Sequence, residues 1–139
     1  MGCTLRASGK SFNVDEYLKI TSFKNYHVYK KGELKFKTLP KGKKYKLSGI
    51  NIVINNGSFD NLKRQIKIVM AFLENNKKEI IRLSKFKGVE SSPVLDFGIN
   101  IRNYPAQFNR FPAELVACAG KLGLAIELSQ YDFKDEIKT

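Results

Sequence analysis

Five polar residues of this 139-residue chain have the types and spacing for a shared groove: Asn51, Asp96, Asn100, Arg102 and Glu127. Paired carboxylates beside an arginine can do acid–base work when held within reach of one another. Asp96, Asn100 and Arg102 alternate with Leu95, Phe97, Ile99 and Ile101, so a strand over 94–102 puts them on one side. Gly98 lies between them and permits close approach. Asn51 and Glu127 occupy the equivalent polar side of two further strand-like stretches. If the third, fourth and fifth strands are neighbours, the five converge. The same set also describes the wet face of an ordinary one-sided sheet, where a surface ion pair of the Asp96–Arg102 kind contributes well under ~1 kcal/mol.

Other stretches with the look of chemistry fail on their surroundings. Gly9-Lys10-Ser11 is the tail of a phosphate-binding loop, but that loop needs a glycine five residues earlier, where Thr4 stands. We read it as a turn. Asp96-Phe97-Gly98 spells the metal-binding triplet of protein kinases in a chain that has neither the glycine-rich loop nor the catalytic-loop sequence. Cys3 and Cys118 are the two cysteines and His27 is the one histidine. Without a Cys-x-x-Cys pair or a second histidine a zinc site is not expected, and no other metal or cofactor is expected either. Two cysteines and no secretory leader point to free thiols in a reducing, cytoplasmic setting. Cys118, in an apolar stretch, reads as a small buried residue.

Charge is the more distinctive feature. Lysine and arginine number 25 against 13 acids, a net charge of +12. An anionic partner follows as an expectation. Two segments concentrate the charge. Lys63, Arg64, Lys67, Lys78, Arg82 and Lys85 fall on one side of a helical stretch over 58–86, opposite Leu62, Ile66, Val69, Leu73 and Ile80. Residues 30–46 carry Lys35, Lys37, Lys43 and Lys44 among eight lysines, with Glu33 their only acid and Phe36 and Tyr45 interleaved. Basic residues with exposed aromatics can track a nucleic-acid backbone. A mobile, solvated loop pinned by its aromatics has the same composition, and that reading is preferred here.

These residues need a scaffold. Alternating or apolar runs predict strands at 4–8, 25–30, 50–55, 94–102 and 124–129. Helical spacing predicts helices at 14–20, 58–86 and 112–121, the second capped by Ser58 or Asp60 and stopped at Lys87-Gly88. Asn75-Asn76 could bend that long helix. The order β-α-β-β-α-β-α-β predicts an α+β domain over the whole chain, with a mixed, mostly antiparallel sheet and helices on one face. It fits a ferredoxin-like core plus an αβ extension. The tail 132–139 is charged and is expected to fray. No apolar run approaches the ~20 residues of a membrane span.

Several stretches together carry a resemblance. They are Ser8-Gly9 followed by 12–16, then 28–33, Ser48-Gly49, 95–98, and 111–115 leading to Leu122-Gly123 and 126–129. The chain resembles, over Cys3 to Tyr131, a widespread bacterial family of small single-domain proteins known only as a domain of unknown function. Members often carry Trp where this chain has Tyr29 and a second Pro where it has Ala113. The resemblance implies a cytoplasmic bacterial protein and carries over no catalytic residue. By analogy of class, such proteins include immunity proteins against secreted toxins.

The expectation is therefore a non-catalytic protein-binding module, immunity- or antitoxin-like, with an acidic protein partner and no membrane. Nucleic-acid binding through the basic helix face and the lysine-rich loop is the runner-up, and an enzyme with the polar sheet face as its site is third. A homodimer through an exposed sheet edge is also open.

Overall fold

The computed structural model describes residues 2–36, 41–57, 61–102 and 105–132. Five strands and four helices follow one another: β1 (Cys3–Gly9), α1 (Val14–Leu18), β2 (Tyr26–Tyr29), β3 (Ser48–Asn55), α2 (Leu62–Asn75), α3 (Lys77–Lys85), β4 (Val94–Asn100), α4 (Ala113–Lys121) and β5 (Ala125–Tyr131). The strands form one sheet in the order β2-β3-β1-β4-β5. Three pairings are antiparallel, and β4–β5 is parallel.

The first four strands have the order and directions of a ferredoxin-like sheet. β1 and β2 run parallel with β3 between them, and β3 and β4 run parallel with β1 between them, so each β-α-β unit is split by an antiparallel strand. The last unit, β4-α4-β5, is an ordinary parallel crossover that extends the sheet by one strand. The predicted α+β class, the mostly antiparallel sheet and the αβ extension are all present.

Every second residue of β1 is buried, and the inner side chains Cys3, Leu5, Ile50, Ile52, Leu95 and Phe97 meet the helices in one core. The stripe Ile66, Val69, Leu73, Ile80 and Leu83 supplies the helical side, and α2 touches β3, β4 and α4. Gln65, 1% exposed, donates from Nε2 to the Gly98 carbonyl at 2.9 Å and ties α2 to β4. Glu79 is the one buried carboxylate among the described residues. It accepts from Tyr17 Oη at 2.8 Å and Thr21 Oγ1 at 2.7 Å, which fastens α1 to α3.

Three differences from the sequence expectation bear on the surfaces below. The helix expected over 58–86 is two helices, because Asn76 leaves the helical region at φ −126° and its Nδ2 donates to the Phe72 carbonyl at 2.9 Å. The α2 cap is Asn61, whose Oδ1 accepts from the Arg64 N–H, while Ser58 and Asp60 lie outside the described residues. β4 ends at Asn100, so Arg102 lies beyond the strand.

Gly9 and Gly88 stand back to back. A Cβ on Gly9 would lie 1.8 Å from the Gly88 carbonyl oxygen, and one on Gly88, at φ 91°, would lie 2.3 Å from that of Ser11. Both positions exclude a side chain, and the close crossing lets Glu90 N–H donate to Ser8 O at 2.9 Å.

Candidate binding surface

The outer side of the sheet is built from the residues between the core positions. Strand register sets its rows: His27, Asn51, Arg6 and Val94 lie across from one another, and Val53, Thr4, Asp96 and Glu127 form the next row. Asp96 and Glu127 are thus neighbours across β4 and β5, as a polar groove requires. Their cation is Arg6. Its NH2 reaches Asp96 Oδ2 at 3.7 Å and also bonds Glu127 Oε2, while Ser129 Oγ donates to Asp96 Oδ1 at 2.6 Å.

The other three residues of the predicted groove do not join this cluster. β1 lies between β3 and β4, so Asn51 faces the acids across the Arg6 strand, and β3 is not the neighbour of β4 that convergence needed. Asn100 pairs with Tyr131 at the far end of β4. Arg102 is past the strand, its backbone N–H donating to Gln107 Oε1 at 2.9 Å, so the arginine paired with Asp96 is Arg6. Arg6 has the same alternation as the rest, between Leu5 and Ala7. Only the strand order, which alternation does not encode, brings it to the centre. Both carboxylates are engaged by one guanidinium, an arrangement that offsets part of their charge on an open face.

At the β2 end the outer face carries aromatics. Gly49 has no side chain, and the Tyr29 ring lies over it: a Cβ there would meet Tyr29 Oη at 2.2 Å. Partial burial pushes the Tyr29 phenol up, while the Ser8 hydrogen bond and the Arg6 charge pull it down. Tyr45 stacks on Tyr29 with centroids 4.5 Å apart and planes at 25°, and Lys35 Nζ sits 5.7 Å from the Tyr45 centroid.

That stack organises the lysine-rich segment. Gly32 N–H donates to Tyr45 O, Tyr45 N–H to Glu33 O and Lys35 N–H to Lys43 O, each at 2.9 Å, and Leu34 bridges Lys44. The described part of 30–46 is therefore a two-stranded ribbon extending from β2 and β3. Lys35, Lys43 and Lys44 are exposed on it, and Lys37 lies outside the described residues. Phe36 is 61% exposed. Lys30 bonds Asp15 at 2.8 Å, and that bond and charge raise its pKa.

The basic helix side is divided by the break at Asn76. Lys63, Arg64 and Lys67 are exposed on α2; Lys78, Arg82 and Lys85 are exposed on α3. Arg82 is already engaged, with NH1 3.5 Å from Glu79 Oε2 and donating to Ile20 O at 3.0 Å. The six do not form one straight stripe.

Both cysteines are free: Cys3 is buried, and Cys118 is half-buried rather than in the core. No group of three or more His, Cys, Asp and Glu that could hold a metal ion comes together among the described residues. No described helix is long and apolar enough to cross a membrane. No curated protein and no solved structure matches the chain. One family model does, a domain of unknown function (DUF4279), over residues 1–133.

Proposed function

We propose, for a chain that belongs to the DUF4279 family of unknown function, a non-catalytic binding module that captures an acidic partner protein with the ribbon formed by the described part of residues 30–46. The observation that carries this is the ribbon's construction. Its lysines project from a paired backbone clamped by the Tyr45–Tyr29 stack, so cationic groups are presented with little ordering left to do on binding. A charge of +12 steers an oppositely charged protein to such an edge and raises the association rate. Capture of this kind is how an immunity- or antitoxin-like protein in the cytoplasm would act, and an acidic target suits it better than a basic nuclease.

Nucleic acid is the second reading, favoured by one observation. Phe36, 61% exposed, lies among lysines at the ribbon and offers a stacking face beside cations. One pair of experiments separates the readings. The tagged protein and its Lys41→Glu/Lys43→Glu/Lys44→Glu variant are used to purify partners from the native cell. The same two proteins are titrated by fluorescence anisotropy with short DNA and RNA at about 50 and 200 mM salt, a range over which several engaged phosphates cost orders of magnitude in affinity. The expected result is one acidic protein retained by the native chain and lost by the variant, with no tight oligonucleotide binding. Tight binding to DNA or RNA that falls steeply with salt and is lost in the variant would put the second reading first. A partner set unchanged by the variant would overturn the first reading, and the absence of oligonucleotide binding that the variant loses would overturn the second.

A further inference from the structure

One edge of the sheet is left open. β5 is its last strand and is paired with β4 alone. Ala125 N–H donates to Pro93 O, and Tyr131 O accepts from Ile101 N–H, so the backbone groups of Ala125, Glu127, Ser129 and Tyr131 point toward the β4 side. Those of Ile126, Leu128 and Gln130 therefore point away, and they find no hydrogen-bond partner among the described residues. Edge strands are commonly blunted by lysine, proline or a bulge. β5 has none of these, and its register with β4 is unbroken from Ala125 to Tyr131. β2, the other edge, is four residues long and runs straight into Lys30 and Lys31.

Charge decides what can lie along β5. In a chain of net charge +12, the segment Ala113 to Tyr131 carries one lysine against two glutamates. Glu127 is already bonded to Arg6. An acidic protein or a nucleic acid finds no surplus of cations here. A second copy of the chain, repelled by lysines elsewhere, meets little charge on this side.

The helix beside the edge is bare in the same way. Glu114, Ala117, Cys118 and Lys121 turn toward Lys77 and Ile81 of α3, with which they line one groove. At 100° per residue, Ala113, Val116 and Gly120 fall on the other flank, and all three are exposed. Val116 is 52% exposed, and a Cβ on Gly120 would meet nothing within 4 Å outside its own helix. α4 spans the β4–β5 pair, with Phe111 before it packed on Phe97 of β4 and Leu124 after it buried ahead of β5. Strands lie about 4.8 Å apart, so a second β5 beside the first sets the two α4 helices roughly 10 Å from each other. That is an ordinary helix-packing distance, and small uncharged flanks suit it.

We propose that β5 pairs antiparallel with β5 of a second copy, joining the two sheets into one, with Leu128 on the two-fold axis. This centre sets Leu128 against Leu128 of the second copy and Ile126 against its Gln130, each pair exchanging both backbone bonds. It also places Glu127 opposite Ser129 of the second copy, whereas a pairing centred on Glu127 would set two carboxylates face to face. Ile126 and Leu128, half-buried in the single chain, are closed over by the contact. The ribbons stand at the two far ends of the joined sheet, so the dimer is independent of what they capture.

The test is sedimentation velocity of the full chain from about 1 to 500 µM in about 150 mM sodium chloride, where the Debye length is ~8 Å. The expected result is a rise from 15.8 kDa to twice that mass with concentration. Val116→Lys/Gly120→Lys puts like charges on the facing flanks at positions that are exposed in the single chain. It should raise the dimer dissociation constant about tenfold or more, while the dilute protein melts no lower, lysine being the better helix former at 120. Gln130→Pro, which removes an outward N–H, should weaken the dimer in the same way. The Lys41→Glu/Lys43→Glu/Lys44→Glu ribbon variant should dimerise at least as well as the native chain. The native chain supplies a reading that no variant can confuse: hydrogen exchange at the Ile126, Leu128 and Gln130 amides should slow as concentration rises. A chain still monomeric at about 500 µM, weaker than a specific pairing of this kind, overturns the proposal. So does a dimer that survives both edge variants, one that only the ribbon variant abolishes, or one whose formation leaves exchange at those three amides unchanged.

Discussion

Cys3 is 1% exposed on the inner side of β1, and burial, with the Asp96 charge adding, pushes its thiol up to about 12. The thiolate is thus available to the unfolded chain at a pH where the folded chain keeps the proton. Between about pH 9 and 12 the unfolded state binds fewer protons, so stability falls as pH rises, by up to ~1.4 kcal/mol per pH unit. Cys3→Val should remove that share, and denaturant melts at pH 8 and pH 10.5 should show a smaller loss for the variant than for the native chain. Tyr17 adds to the alkaline loss from about pH 10, because burial, reinforced by the Glu79 bond and charge, raises its phenol despite the opposing Thr21 bond and Arg82 charge. The same hydroxyl donates to the buried Glu79 carboxylate, which Thr21 also bonds. Tyr17→Phe leaves the carboxylate with one hydroxyl fewer and is expected to cost about 1–2 kcal/mol in urea unfolding at pH 7. Its alkaline stability loss should shrink as well.

The elements divide into those that alternation reveals and those that depend on who sits beside whom. Leu95, Phe97 and Ile99 announce β4, and Ile50, Ile52 and Ile54 announce β3, because the large apolar side chains of each strand gather on the side that meets the helices. The break at Asn76 was half visible, since asparagine competes for helix backbone bonds. Insertion of β1 between β3 and β4 belongs to the ferredoxin-like core that the element order suggested, but the groove reading set β3 beside β4 instead and so missed the centrality of Arg6. The ribbon was also hidden, because its order comes from Tyr45 stacking on a residue of another strand. Two glycines test this account of the elements. Gly9→Ala drives a Cβ into the Gly88 backbone, which has nowhere to move, and should cost about 3 kcal/mol or more by thermal or urea melt. A Cβ on Gly49 meets first the end of the Tyr29 ring and then, at 2.9 Å, the Ala7 carbonyl of β1. Gly49→Ala should unseat the Tyr29–Tyr45 stack and strain the local β1–β3 pairing, and hydrogen exchange at the Gly32, Lys35 and Tyr45 amides should quicken while core amides of β4 stay protected. Unchanged exchange at those three amides would mean that the stack does not hold the ribbon.

At the scale of the whole molecule, a charge of +12 on 139 residues sets the terms for every contact it makes. The acids of the outer sheet face are matched to Arg6, Lys30 to Asp15 and Lys77 to Glu74, so local pairing uses acids while most lysines stay solvated. Self-repulsion of the unmatched cations destabilises the compact state, and salt screens it with a Debye length of ~10 Å at 0.1 M. The native chain should therefore melt at a higher temperature in 300 mM than in 20 mM sodium chloride, both concentrations chosen to lie about one decade apart around that screening range. The Lys41→Glu/Lys43→Glu/Lys44→Glu variant lowers the charge by two at each position in an exposed ribbon that contributes nothing to the core. It should melt no lower than the native chain at low salt, and the two curves should converge at high salt. A variant that melts well below the native chain at both salt concentrations would mean that the lysines hold the ribbon together. They would then be structural, and the ribbon's claim to a partner would fall with them.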